Sequence, residues 1–249
     1  MLSNERRKQL LNYLEHKKTA TVQELAEKLF ASPSTVRRDL SELEKQGFIK
    51  RVHGGAVLTS ENALDPPWYL HKVQQIEEKK LIAEKAVPFL SNFKTYFFDS
   101  STTALMLAMK LQDFLDVKIA TNGLGILSSI PSSKNLSVYS CGGYLRSPYD
   151  EFTGNLALQN ISRMNADIFF FSCAGFSVRN GATEINDDNV AVKRAFFQNS
   201  KCHILLCDYT KFDKEFFFNS FAVNEIDYVI TDRRPSDLYV DLLRDKLIY

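Results

Sequence analysis

Ser32-Pro33-Ser34-Thr35-Val36-Arg37-Arg38-Asp39-Leu40 is the stretch on which the fold turns. A serine followed by proline marks a helix start: the hydroxyl accepts from an otherwise unpaired N–H of the first turn, and proline has no N–H to lose there. Placing Val36, Leu40 and Leu43 inward leaves Ser34, Arg37, Arg38 and Ser41 outside, with Thr35 near the exposed first turn. That face is short, polar and cationic at its start, which suits a helix whose first turns enter the DNA major groove. Arginine bonds a guanine edge in bidentate fashion, and Ser or Thr bonds phosphate or base. Arg37 and Arg38 taken alone would equally fit a solvated face. Asp39 is expected to brace an arginine rather than meet phosphates, which would repel it.

The flanks complete a small domain. Leu10, Leu11 and Leu14 recur at helical spacing across residues 5–17, with Tyr13 beside them. Thr21 and Glu24 fit a capping box, opening a helix that buries Val22, Leu25, Ala26 and Leu29. Gly47 follows the third helix as its stop. Phe48–Val52 and Ala56–Leu58 then flank His53-Gly54-Gly55, the pattern of a tight hairpin. Lys50, Arg51 and His53 make that hairpin a basic wing, and the Gly54-Gly55 turn could approach a DNA backbone closely. Residues 1–58 hold 11 Lys/Arg against 7 Asp/Glu, a net of +4, whereas the whole chain of 249 residues carries only +1. A basic head on a mildly acidic body predicts that only the head meets a polyanion.

Residues 59–68, through Pro66-Pro67, read as a linker, and 69–249 as a second domain. Residues 69–90 have helical period, with Ile76, Leu81, Ile82, Ala83 and Ala86 as the apolar side. Beyond them apolar strands alternate with helices. Strands are expected at Thr95–Phe98, Val117–Ala120, Leu136–Cys141, Asp167–Cys173, Cys202–Cys207 and Tyr228–Thr231, and helices near 102–112, 123–130, 155–163, 188–199 and 236–246. Strands apolar throughout fit a parallel sheet buried on both faces, so the second domain reads as a doubly wound α/β fold. At 45% hydrophobic and 24% charged residues the composition is that of an ordinary globular protein. No membrane-length apolar run and no secretory h-region stand out, so the expected location is cytoplasmic. Cys141, Cys173, Cys202 and Cys207 lack CxxC spacing and read as small buried hydrophobes, with neither a disulfide framework nor a metal site expected.

Glu24-Leu25-Ala26, Ser32 through Leu40, Leu43-Glu44-Lys45-Gln46-Gly47 and Arg51-Val52-His53-Gly54-Gly55-Ala56 closely resemble the DeoR family of bacterial repressors. The resemblance runs through nearly the whole chain. It implies a winged helix-turn-helix head bound to double-stranded operator DNA. It also implies a sensor body that looks like sugar-phosphate isomerases and CoA transferases, with a phosphorylated sugar or related metabolite as effector. A single winged head seldom suffices for operator affinity, so a dimer or tetramer is expected.

Asp99-Ser100-Ser101-Thr102-Thr103 follows a strand and opens a helix, where N–H groups and hydroxyls either hold an anion or merely cap the helix. The family form is Asp-Ser-Gly-Thr-Thr, so Ser101 in place of glycine narrows the room for close backbone approach. Asn122 follows the second strand. Gly142-Gly143 follows the third and is either a pocket element or a turn; Arg146 pairs a phosphate or lies at the surface. The resemblance places Lys193 and the Asp208–Phe212 segment with Lys211 near the pocket; without it, both lysines would read as solvated. No cofactor is implied. An isomerase would need a positioned carboxylate base, and Asp99, Glu184, Asp187 and Asp188 are the acids available. None lies in a motif that matches such a base. A regulator with a non-catalytic body is therefore the leading reading, and a sugar-phosphate isomerase-like enzyme with a DNA-binding head is the alternative.

Overall fold

The computed structural model describes residues 3–45, 49–58, 68–72, 74–131 and 133–249. The chain divides into two compact units, Met1–Leu70 and His71–Tyr249. The expected linker residues 59–67 and the expected helix stop at Gly47 lie outside the described residues.

The first unit runs α1 (Ser3–Lys17), β1 (Thr19–Thr21), α2 (Val22–Lys28), α3 (Pro33–Lys45), β2 (Ile49–Val52) and β3 (Gly55–Leu58). Its core is the set the periodicity picks out: Leu10, Leu11, Leu14, Val22, Leu25, Ala26, Leu29, Val36, Leu40 and Leu43. The capping box forms as the sequence predicts, with Glu24 N–H donating to Thr21 Oγ1 and Thr21 N–H to Glu24 Oε2. Strand β1 was not anticipated; it pairs antiparallel with β3 and turns the hairpin into a three-stranded sheet. It explains a glycine. A Cβ on Gly55 would lie 2.3 Å from the Ala20 carbonyl oxygen, so the expected DNA-facing Gly-Gly turn divides in two. Gly54, at φ +83°, is exposed in open space, whereas Gly55 is buried against β1.

The second unit continues with α4 (Trp68–His71, whose last residue it contributes), α5 (Ile76–Ala86), β4 (Thr95–Phe98), α6 (Thr102–Ala108), β5 (Val117–Thr121), α7 (Leu124–Ser129), β6 (Leu136–Ser140), β7 (Tyr144–Arg146), β8 (Glu151–Thr153) and α8 (Asn155–Ile161). It is completed by β9 (Ala166–Phe171), β10 (Gly175–Ser177), β11 (Gly181–Glu184), α9 (Asp187–Gln198), β12 (Ser200–Leu206), β13 (Phe218–Phe221), β14 (Tyr228–Ile230), α10 (Asp237–Leu243) and β15 (Leu247–Ile248). Seven strands form one parallel sheet in the order β15-β14-β12-β9-β4-β5-β6. From β4 the chain winds outward through β5 and β6, then returns to the other side of β4 and winds through β9, β12, β14 and β15. The winding direction therefore reverses between β4 and β9. Their apolar residues Phe97, Phe98, Phe169, Phe170 and Phe171 are buried, as strands covered on both faces require.

Three further expectations fail. The helical period over 69–90 predicts one helix, but α4 and α5 are separate, and Gln75 at their junction sits at φ +48°. The expected apolar side also shifts: Leu81 and Ile76 are exposed, and the buried line is Lys79, Ile82, Ala83 and Ala86. Segments read as loops form two further sheets, the β7–β8 hairpin and the antiparallel set β10-β11-β13. Three- and four-residue strands bounded by glycine are too short to show alternation.

The head offers a stability test. Thr21→Ala should cost about 1 kcal/mol through loss of the cap. Gly55→Ala should cost more, because the new methyl group meets backbone rather than a movable side chain. Denaturant titration of the full chain followed by helical circular dichroism measures both, and equal or smaller loss for Gly55→Ala would contradict the packing of β1 on β3.

Candidate functional site

Two surfaces meet the chemical requirements set out by the sequence. On α3 the Ser32 hydroxyl accepts from Thr35 N–H at 3.3 Å and lies 2.9 Å from both the Ser34 and Thr35 hydroxyl oxygens. With Val36, Leu40 and Leu43 fully buried, Ser34, Arg37 and Arg38 are exposed and Ser41 half-buried along the opposite face. Spacing of three, four and seven residues puts these four on one stripe. Asp39 is turned away: it is 4% exposed, and its carboxylate accepts from Arg6 Nε at 2.5 Å and Nη2 at 3.3 Å. This is the expected arginine brace, supplied by α1. In the hairpin, Lys50, Arg51 and His53 are exposed. The Arg51 N–H donates to Glu44 Oε1 at 2.8 Å, which fastens the hairpin to the end of α3.

The second candidate lies at the C-terminal ends of β4 and β9, the point where the winding reverses and where open α/β sheets place their ligands. Asp99, directly after β4, is 1% exposed. Its Oδ1 accepts from Ser101 N–H at 3.1 Å and its Oδ2 from Ser172 N–H at 2.9 Å. Lys193 of α9 is 3% exposed and donates to the Ser172 carbonyl at 2.7 Å and to Glu184 Oε1 at 2.5 Å; its Nζ stands 3.3 Å from Asp99 Oδ2. Burial pulls the Lys193 ammonium down, but Glu184 and Asp99 outweigh it and hold the group above the ordinary lysine range. Burial pushes the Glu184 carboxyl up, even against the pull of Lys193.

Lys211 reaches the same place from the far side. Its Nζ donates to Ser172 Oγ at 2.7 Å and lies 3.8 Å from Asp208 Oδ2. Burial opposes its charge, yet Asp208 and its neighbours keep it raised; Asp208, pushed up by burial, is lowered on balance by Lys211 and Thr210. Neither lysine is the solvated residue its surroundings in sequence would suggest. Lys193 is committed to two carboxylates, and Lys211 retains partial exposure.

The Asp99–Thr103 loop is well specified. Ser101 caps α6, accepting from Ala104 N–H at 3.2 Å, and its φ of −69° needs no glycine. Ser100 Oγ donates to Glu151 Oε2 at 3.0 Å, and Arg146 Nη1 to Glu151 Oε1 at 2.7 Å. Arg146 is therefore neither a free phosphate ligand nor a loose surface group: it is paired to a carboxylate that also fixes Ser100. Among the described residues Asn189 Oδ1 on α9 and, following β4 and β5, two further buried polar atoms, Thr103 Oγ1 and Asn122 Oδ1, have no hydrogen-bond partner. Buried polar groups are normally satisfied, so these two mark where a polar ligand or water would bind. Gly142 and Gly143 lie after the edge strand β6 at φ +62° and +106°; a Cβ on Gly143 would stand 2.5 Å from the Thr153 carbonyl, so the pair serves as a tight turn.

Sequence reasoning did not single out Glu151, Ser172 or Lys79 as site residues. Lys79 carried a usable signal, since it falls on the line of Ile82, Ala83 and Ala86 at i, i+3, i+4 and i+7 and must be buried with them. Among the described residues no group of His, Cys, Asp and Glu side chains is placed to hold a metal ion.

Lys193→Met should destabilise the second unit by about 3–5 kcal/mol at neutral pH, because it leaves buried carboxylates without their cation. The loss should shrink as pH falls and Glu184 takes a proton, since the penalty attaches to its charged form. Urea titrations across the acid range measure this; a pH-independent loss would contradict the charge account.

Two family models match the chain: a DeoR-like helix-turn-helix domain over residues 6–62 and the DeoR C terminal sensor domain over residues 74–233. A glycerol-3-phosphate regulon repressor of Escherichia coli is 31% identical over 245 residues, covering 98% of this chain and 97% of its own. The HTH-type transcriptional regulator GolR of Listeria innocua is 33% identical over 234 residues, covering 94% and 92%. Among solved structures, ribose 5-phosphate isomerase A of Methanocaldococcus jannaschii aligns with TM-score 0.38 and 13% identity over 56% of this chain and 55% of its own, too distant to speak to chemistry. Family models and relatives agree, and the chain belongs to the DeoR family of transcriptional regulators.

Proposed function

We propose that this regulator is a repressor of an operon for the use of a phosphorylated sugar or polyol, and that it binds its operator through α3 and the β2–β3 hairpin. The observation that carries the DNA half is the outward stripe Ser34, Arg37, Arg38 and Ser41, from which the Asp39 carboxylate is withdrawn by Arg6. Thr35 and the wing residues Lys50, Arg51, His53 and Gly54 flank it. The effector half rests on the orphan Thr103 and Asn122 oxygens and on Lys211, whose side chain keeps some exposure. A phosphate over Ser100–Thr103 would satisfy the Thr103 hydroxyl, and sugar hydroxyls would meet Asn122. Asp99 and Lys193 build the floor rather than contact the phosphate. Relatives named for a glycerol-3-phosphate regulon favour this ligand class.

The body is read as non-catalytic. Both oxygens of Asp99 already accept hydrogen bonds and Glu184 is bound to Lys193, which leaves neither as the poised base that isomerisation requires. A head of net +4 neutralises few phosphates, so a dimer or tetramer on repeated half-sites is part of the proposal, as is a place of action wherever the chromosome lies. Among the described residues no helix is long and apolar enough to cross a membrane.

Arg37→Ala and Arg38→Ala should each weaken operator binding, by about 1–3 kcal/mol where the arginine reads a base. A phosphate contact would instead weaken all duplexes alike and flatten the salt dependence. Gel-shift titration at several salt concentrations separates these outcomes, and full-strength binding by both variants would refute the placement of α3. In the same assay, Thr103→Val, which removes a hydroxyl that bonds no other described group, should leave ligand-free binding near wild type and abolish the response to the phosphosugar. A variant that still responds would put the phosphate elsewhere.

A further inference from the structure

Lys79 is 3% exposed on the packed face of α5, and nothing assigned to the DNA or effector site uses it. Its ammonium donates to two main-chain carbonyls, those of His71 and Gln74, the latter at 2.8 Å. Its own N–H donates to the Gln75 carbonyl at 2.9 Å. Gln75 is a non-glycine residue in the left-handed region, so this junction is held in a conformation the backbone would not choose alone. The His71 carbonyl has a second donor, Thr102 Oγ1 at 3.2 Å. Thr102 is the first residue of α6 and belongs to the loop proposed to hold the effector phosphate. Two donors, one from α5 and one from the effector loop, therefore converge on the residue with which the second unit begins.

We propose that Lys79 and Thr102 clamp the His71 and Gln74 carbonyls, and that a phosphate monoester bound at Asp99–Thr103 opens this clamp and releases the stretch leading back to the head. The inference rests on the effector reading above and adds the route of control to it. The exchange is chemically favourable: a hydroxyl and an ammonium that now serve neutral carbonyls would gain a dianionic acceptor, and charge-assisted hydrogen bonds are the stronger kind. Lys79 shares the His71 carbonyl with Thr102, which places its ammonium next to the proposed phosphate loop; burial, and then Lys211, bring its pKa down to about 7. Such a ligand biases the junction only in so far as it binds the open form more tightly.

The chain supplies its own reporter. Trp68, its one tryptophan, stands in the four-residue helix that ends at His71 and is half-buried. Melting temperature and tryptophan emission of the full chain would be measured with glycerol 3-phosphate, fructose 1-phosphate, glucose 6-phosphate and inorganic phosphate. A probe that raises the melting temperature should also red-shift the emission of wild type. Lys79→Met should begin red-shifted, bind the same probe and respond no further, whereas Lys79→Arg, which keeps charge and donors, should behave as wild type. The clamp is overturned by a bound probe that leaves wild-type emission unchanged or by Lys79→Met that starts and responds as wild type; weaker probe binding by Lys79→Met is what the exchange itself predicts. Should Lys79→Met fail to fold, the wild-type and Lys79→Arg arms still decide. If no probe raises the melting temperature, the effector reading itself fails and takes the clamp with it.

Discussion

The body is organised around one ammonium group. Lys193 sits between Asp99 and Glu184 and bonds the carbonyl of Ser172, so a single side chain from α9 joins the ends of β4, β9 and β11. A buried charge is tolerated only when paired and hydrogen-bonded, and each oxygen of Asp99 is accounted for by Ser101, Ser172 or Lys193. Because β4 and β9 are also the strands between which the winding reverses, the network fixes the floor of the crevice that this topology opens. On the proposed effector reading, Lys211, the Thr103 hydroxyl and the Asn122 carbonyl supply the chemistry left over from that network.

The head solves a different problem with the same tools. On the proposed reading α3 must present cations to a polyanion, yet a helix also needs to be anchored. Arg6 anchors it by binding Asp39, which withdraws a carboxylate from the face proposed to meet DNA and pins α1 to α3. Arg51 and Glu44 do the same between hairpin and helix. Each unit has its own core, so control of one by the other is a coupling between two separately folded bodies. A coupling of about 1–3 kcal/mol would suffice for a useful switch.

Much of this was legible in the sequence because it rests on local rules. Thr21 with Glu24, Ser32 with Pro33, and the leucines at helical spacing each declare their role within one or two turns. The parallel strands were visible because phenylalanine runs such as Phe169–Phe171 suit burial on both faces. What escaped were long-range pairings. Arg146 meets Glu151 and through it Ser100, a partnership that spacing does not encode. Lys79 was masked by its charge, although its position on the apolar line of α5 required burial. Gly55 was read as a feature of a turn, whereas its lack of a side chain is demanded by β1, a strand of only three residues.

The central claim is that a sequence-reading head is governed by a phosphorylated small molecule. Selection of duplexes from a randomised pool by the full chain, followed by measurement of occupancy on the recovered sequence with and without phosphorylated sugars and polyols, tests both halves together. The account predicts a defined, repeated sequence whose occupancy one such compound changes by about 5-fold or more. A pool without enrichment, or an enriched site whose occupancy no phosphorylated compound alters, would contradict it.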